Sequence, residues 1–593
     1  MNPTLVAAPS PVFCVLGHAG RDLRVADEVV AGVFDVAGQR HRLGRRPDWT
    51  CDPCPDDKEW RIEWVKFYYG LDLAHAGAAT GEARYGEAWA RLVTSFVAQV
   101  PAAADDTEVM ARRVQNWIYA WNRFQAAGRH PGLSAAQAPA VIDYLWAEVQ
   151  HVRAHLTAER NHRTLELYAL LVAALAFPPL DPGHALRDFA FDALHENLLA
   201  DVRPDGVHRE HSTHYHCIVL RSFLGALRNA RLVGVTLPPS FLERTTRAAE
   251  FAMHCHRPDG AIPACADSDS ESYRDVLRLA GELLDRPDFL WAASQGAEGR
   301  PPAARHASFP DGGYYTQRGG WGTHGRPADE PFLVFDCGAL GDGGHGHYDA
   351  LSVEVAAAGG PLLIDPGRFT YAEGSPNWRH WFKGTAAHNT VTVDGLDQTR
   401  TGGASRRARW RRPACSPARP RPTWTCWWAR RRARATTRCT GAPWCSWPAS
   451  IGSWRTTCRP TPRTSTRCAG ILRPRPAATP RSPPTRPDGW WPTASPWPSR
   501  RPEHSASTTV CAPRYGVKHP APVVVHTTAA ASATIVTAIE PRGASRRSSA
   551  LAVDATAPGN GRDAATRVEI RGVGPAGDAT DVLMWSTAPQ PLT

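Results

Sequence analysis

The sequence predicts a multidomain α+β protein: an N-terminal antiparallel helical array, read as an (α/α) toroid, followed by a C-terminal antiparallel β-sandwich or β-sheet domain. Three observations predict it. Over residues 59–300, large apolar residues recur at i, i+3, i+4 and i+7, the period of an amphipathic helix. Near "SFPDGGYYTQRGG" the period falls to two, that of a strand. A chain of 593 residues is also too long for one core.

Residues 1–58 read as an irregular arm with one or two short strands such as "AGVFDVAG". Stretches such as "IEWVKFYYGLDLAHAG", "RYGEAWARLVTSFVAQV", "VMARRVQNWIYAWNRFQAAG" and "RTLELYALLVAALAF" then make up roughly nine helices between Gly/Pro/Asp loops. Successive antiparallel helices of this length suit a hairpin array or toroid better than a four-helix bundle. Residues 308–593 form the β domain, in which "PFLVFDCG", "LSVEVAAAGGPLLIDPG" and "HNTVTVDG" are strands and Gly359-Gly360 is a hairpin turn.

A formal charge of +11 would suggest a polyanion such as nucleic acid. Residues 405–507, however, carry 22 Arg and two acids, so the rest of the chain has a net charge of −9. This segment also holds ten of the 22 Trp and neither Phe nor Tyr, and has no helical or strand period. A disordered tail would not carry so many Trp, nor a packed domain so much Arg and Pro. The composition points to translation out of frame: one permissible codon set for "SWRTTC" shifts to Val-Val-Glu-Asp-His-Leu. A nucleic-acid partner therefore has no independent support.

Cys51 and Cys54 form a C-x-x-C without a second pair at zinc-ribbon spacing, and read as incidental loop thiols. No apolar run reaches the ~18 residues of a membrane span. The N-terminus lacks a basic stretch ahead of an apolar one, so the expected location is cytoplasmic, or periplasmic or secreted if the start is misassigned. Oligomeric state is not legible.

"GDGGHGHYDALS", residues 341–352, places His345 and His347 two apart, so that in a strand both imidazoles would share a face. That suits a metal site, an acid/base site or a polar loop. His347, Asp365 and His388 flank strands expected to be neighbours; two imidazoles and a carboxylate suit zinc, in a structural or a catalytic site, or each residue caps its own turn. In the helical half, Asn161 and His162 precede an apolar helix, where Asn161 would be an N-cap. His208, Glu210, His211, His214, Tyr215 and His216 crowd another helix start, with His211 and Tyr215 placed to share one face.

"GHGHYDALSVEVAAAGGPLLIDPGRFTY", continuing into "NWRHWFKGTAAHNTVTVDGLDQTR", resembles the C-terminal domain of the heparinase II/III family of polysaccharide lyases. "EWVKFYYGLDLAHA", "ERNHRTLELYALLVAAL" and "DGVHREHSTHYHCIVLR" resemble that family's toroid. The resemblance spans roughly residues 50–404 and 508–593. It implies β-elimination on an acidic, uronate-containing polysaccharide in the cleft between the domains; the alternative is a member of the fold that binds or remodels exopolysaccharide without lyase chemistry. Carried over by motif, Asn161, with His162, would neutralise the uronate carboxylate. Tyr215 would be base, acid or both, and His345 its partner. His211, His214 and Arg379 would lower the Tyr215 pKa from about 10. His211, His214, Tyr371 and Arg379 would lie on the substrate side, and Trp378 would be a sugar contact or a packing residue. His347, Asp365 and His388 would hold a structural zinc.

Overall fold

The computed structural model describes residues 8–16, 21–53, 58–323, 325–341 and 344–399, and beyond them the strands given below. The first 58 residues are more than an irregular arm. Helix α1 (Leu23–Val30) and the hairpin of β1 (Val33–Val36) and β2 (Gln39–Arg42) belong to the helical body. Val15, Ala26, Val29, Phe34 and Trp49 sit in its core. Side-chain oxygens of Asn122 and Asn229, both from toroid helices, accept the N–H groups of Val12 and Phe13 at 2.9 Å. These elements are too short to show a period, and so escape a pattern search.

Among the described residues eleven helices follow: α2 (Lys58–Val65), α3 (Tyr69–Thr80), α4 (Ala83–Gln99), α5 (Thr107–Ala126), α6 (Gln137–Ala154), α7 (Arg160–Ala176), α8 (Ala185–Asp201), α9 (Thr213–Leu232), α10 (Pro239–Cys255), α11 (Arg274–Leu284) and α12 (Pro287–Ser294). The expected single helix "IEWVKFYYGLDLAHAG" is two, α2 and α3. The break lies at Phe67, whose φ of 61° is left-handed and cannot continue a right-handed helix. The odd helices α3, α5, α7, α9 and α11 pack one on the next as an inner ring, while α4 packs on α6, and α10 on both α8 and α12, outside it. This is an (α/α) toroid. Inner helices meet protein on every side, which is why every α7 residue from Thr164 to Ala176 is buried.

A five-stranded antiparallel sheet comes next, in sequence order: β3 (His306–Phe309), β4 (Tyr314–Arg318), β5 (Phe332–Asp336), β6 (Ser352–Ala357) and β7 (Gly360–Leu363). Ala358 and Gly359, at φ 53° and 94°, make the β6–β7 turn, one residue earlier than expected. On one face Phe332, Val334 and Ala356 pack with Phe251 and Cys255 of α10; on the other, Leu333, Phe335, Val353, Val355 and Leu363 form a second core. Every β6 residue is therefore buried, and the apolar-polar alternation leaves Glu354 inside the toroid-facing layer. Burial pushes its carboxyl up to about 8.

After α13 (Trp378–Lys383) come β8 (Val391–Val393), β9 (Thr423–Thr425), β10 (Gly452–Arg459), β11 (Ser465–Ile471), β12 (His504–Arg514), β13 (Val517–Ala529), β14 (Ala533–Ile539), β15 (Leu551–Thr556), β16 (Ala565–Gly574) and β17 (Gly577–Ser586). They form sheets ordered β12-β13-β11-β8, β14-β10-β9 and β15-β16-β17. The out-of-frame reading of 405–507 falls largely outside the described residues, as does Cys54. Among the described residues no helix is long and apolar enough to cross a membrane.

Candidate active site at the toroid–sheet boundary

The toroid supplies two helix starts. At α7, Asn161 is not the N-cap: it lies inside the first turn, and its amide nitrogen donates to both Glu210 oxygens at 3.0 and 2.8 Å. The preceding Arg160 instead turns through φ 78°, its N–H bonded to the Asp201 carboxylate at 2.8 Å. His162, next on the helix, is exposed, and its field falls on Glu108.

At α9, Ser212 is the N-cap, its hydroxyl accepting the Tyr215 N–H at 3.2 Å. Ser212 also donates to the Asp267 carbonyl at 2.9 Å, and Thr213 to the Pro263 carbonyl at 2.7 Å. The loop after α10 thus holds the start of α9, and Tyr215 leaves its first turn in a fixed direction. His211 lies before the cap at φ 57°, so it does not share a helical face with Tyr215. His214 turns inward to Tyr273, Nδ1 to hydroxyl 2.8 Å, and burial drives its pKa down to about 3.

The sheet domain supplies the opposite wall. His345 and His347 lie in the loop before β6, not in a strand, yet both reach one carboxylate. His345 Nδ1 is 3.0 Å from Asp267 Oδ2, and His347 Nε2 is 2.8 Å from Oδ1. Arg379 donates to both oxygens, to Oδ2 at 2.7 Å. Against the upward push of burial, Arg379 and the two imidazoles hold Asp267 well below the usual carboxylate range.

The two walls meet at Tyr215. The His345 ring stacks on the phenol, with centroids 3.8 Å apart and planes 19° from parallel. Its Nε2 lies 3.8 Å from Glu210 Oε1. The Tyr215 hydroxyl is 2.8 Å from that of Tyr371, and Arg368 donates to both, at 3.2 and 2.6 Å. Asp269 anchors Arg368 through two bonds, at 3.1 and 3.0 Å. Asn161, Glu210, His345, Tyr215, Tyr371 and Arg368 therefore form one continuous chain across the boundary.

The Tyr215 pKa moves opposite to expectation. Burial pushes it up to about 12, and Arg368, not His211, His214 or Arg379, is the main opposing influence. His214 is uncharged at neutral pH, and Arg379 is turned to Asp267, with its guanidinium 4.8 Å from the Tyr371 ring centre. Trp378 stacks under Lys518, 3.7 Å from the ring centre, and meets the Phe369 and Phe382 rings.

Beside this chain, the ligand atoms of His347, Asp365 and His388 all lie within 4.8 Å of one another, fully enclosed. His388 Nδ1 bonds Asp365 at 2.7 Å. His347 Nδ1 and His388 Nε2 are buried with no hydrogen-bond partner, which a cation would satisfy, and the donor set suits zinc. The group joins two sheets, since His347 and Asp365 flank β6 and β7 while His388 precedes β8. Asp365 lifts the His388 pKa to about 9 against burial; burial lowers that of His347 to about 4.

Sequence reasoning missed Asp267, Asp269 and Arg368, and gave Glu210 no role. The signal was present in "CADSDSES", three acids in one short loop after a helix, and in Arg368 three residues from Tyr371.

The family pattern described as Heparinase II/III N-terminus matches residues 19–285, and that described as Heparinase II/III-like, C-terminal, matches 301–438. A heparin-sulfate lyase of Bacteroides stercoris is 23% identical over 388 residues, covering 60% of this chain and 57% of that protein. One from Pedobacter heparinus is 22% identical, covering 62% and 56%. The chain thus spans little more than half the length of the curated relatives it matches. A solved heparinase III has a TM-score of 0.72 at 14% identity, covering 97% of this chain and 93% of its own. A heparan sulfate lyase HepC mutant from Pedobacter heparinus has a TM-score of 0.63 at 15% identity, covering 98% and 93%. These structures share the fold.

Proposed function

This chain belongs to the heparinase II/III family, and on that premise we propose that it is a polysaccharide lyase cleaving a uronate-containing glycan by β-elimination. The observation that carries the reading is the stacked Tyr215–His345 pair, one ring from each domain.

The reaction needs a base for the weakly acidic C5 proton of the uronate, donors that quiet its carboxylate, and an acid for the departing O4. Tyr215, its pKa raised by burial, acts as the acid in this reading. His345 turns Nδ1 to Asp267 and so has Nε2 for the C5 proton. Asn161, beside Glu210, is the donor for the carboxylate. Arg368 stands by to stabilise the Tyr215 oxygen as its proton leaves. His347, Asp365 and His388 would hold a zinc ion, which when bound would fix the loop presenting His345 and take no part in the elimination.

The relatives' names make heparin and heparan sulfate the first substrates to try. Lys383, which donates to the Gly344 carbonyl beside His345, gives that rim a positive charge for an acidic chain; Arg379 donates to the same carbonyl but is paired with Asp267. The test is a panel of heparan sulfate, heparin, hyaluronate and alginate, read by ultraviolet absorbance of the unsaturated product. Expected is a signal with at least one polymer, lost in Tyr215→Phe; folded, zinc-loaded protein silent on all of them would refute the reading. We also propose that 405–507 is read out of frame; resequencing codons 400–510 tests it, with compensating single-base differences expected near the two ends, and DNA that encodes the segment as written would mean that the product itself carries a damaged β domain.

A further inference from the structure

Asp267 belongs to the toroid, yet most of its bonds go to other parts of the site. Its backbone N–H donates to the His345 carbonyl at 3.0 Å, and its carboxylate accepts His345 Nδ1 at 3.0 Å, so the same residue is gripped twice. Its other oxygen accepts His347 Nε2 at 2.8 Å. Its own carbonyl accepts the Ser212 hydroxyl that caps the Tyr215 helix. The side chain is fully buried.

We propose that Asp267 is the positioning residue that sets Tyr215 against His345 and turns His347 toward the metal group; the catalytic half of this inference rests on the lyase reading. The Asp267 carboxylate faces both imidazoles and Arg379, and a carboxylate accepts hydrogen bonds. Each imidazole nitrogen facing it must therefore carry the proton. That leaves His345 with Nε2 for the cleft and His347 with Nδ1 for the ion. The Ser212 link ties the start of α9 to the same residue, so the 3.8 Å stacking distance is referred to a single point. An ion-pair partner for Arg379 would need none of these other bonds.

Asp267→Asn keeps the shape but presents an amide N–H₂ to groups that are themselves donors. Expected is a kcat lower by roughly 100-fold with KM within about threefold, and zinc affinity, by competition with a chelator, weaker by roughly 10–100-fold. Arg379→Gln removes the ion pair, together with the Gly344 bond and the Tyr371 ring contact, but leaves both imidazole bonds to Asp267, and is expected to leave zinc affinity within about threefold. Circular dichroism checks folding. If Asp267→Asn does not fold, Asp267→Glu, which keeps the charge but displaces the oxygens, carries the same comparison. Zinc affinity unchanged in the Asp267 variant, or equally weakened in Arg379→Gln, would overturn the role, as would an unchanged kcat. Wild-type protein inactive on every polymer would refute the lyase reading instead and leave the zinc comparison to decide.

Discussion

The two walls of the site are built by different means. Asn161 and Tyr215 stand on the first turns of α7 and α9, helices whose faces continue into the large toroid core. Helix geometry fixes the direction of both, and the Ser212 cap adds to that of Tyr215. His345, Arg368, Tyr371 and Arg379 come from loops and the short α13; His345 and Arg379 are held by Asp267, Arg368 by Asp269, and Tyr371 by Arg368. One wall is held by its own core. The other is held by two acids of its neighbour.

Four substitutions, a pH profile and a chelator treatment sharpen that contrast. Tyr215→Phe should cost the most activity, roughly 10²–10⁴-fold in kcat, while the melting temperature moves little because the α9 cap is untouched. The pH profile divides the two roles open to this phenol. As an acid with a pKa near 12, it gives a rate that does not rise with its own ionisation between pH 7 and 10. As a base it would give about a tenfold rise per pH unit over that range. Arg368→Gln, on the loop-built wall, should instead lose stability as well as rate. It leaves Asp269 buried without its cation, a cost of about 3–5 kcal/mol, read in denaturant titration. Equal stability in Tyr215→Phe and Arg368→Gln would break the contrast.

Chelator treatment of zinc-loaded protein should lower the melting temperature and the rate together, with the helical circular dichroism signal unchanged at 25 °C. His388→Ala should abolish that response. The smallest effect is expected at Glu354. Its folded pKa of about 8 lies above the ordinary value of 4.5, so the folded state holds the extra proton between the two. Stability from this group is complete below about 4.5 and falls as pH rises toward 8. Glu354→Gln should therefore gain melting temperature over wild type at pH 8.5 and not at pH 4.5.

Much of this was legible because it is periodic. The helices of the toroid and strands such as β6 announce themselves by spacing, and the histidine spacings led to the His347–Asp365–His388 group. The family resemblance led to Tyr215 and His345. What escaped depends on tertiary approach. Asp267 and Asp269 come within reach of the sheet domain only because the loop after α10 crosses to it, and no period encodes that crossing. The direction of the Tyr215 shift escaped for the same reason: a list of nearby basic residues says nothing of how deeply the phenol is set, nor that Arg379 faces a carboxylate instead. The break at Phe67 required a left-handed backbone that its sequence, with no glycine at the position, does not advertise.

Phe251, Phe309, Tyr314 and Phe332 interlock where the sheet lies on α10. Swinging the two domains apart would bring these rings into water, at about 25 cal/mol for each Å² uncovered. A hinge between the two domains is therefore costly. On the lyase reading proposed above, a glycan would meet walls of settled width, and its entry and release would fall to the loops 344–349 and 371–377. Scattering profiles with and without bound oligosaccharide should accordingly overlay.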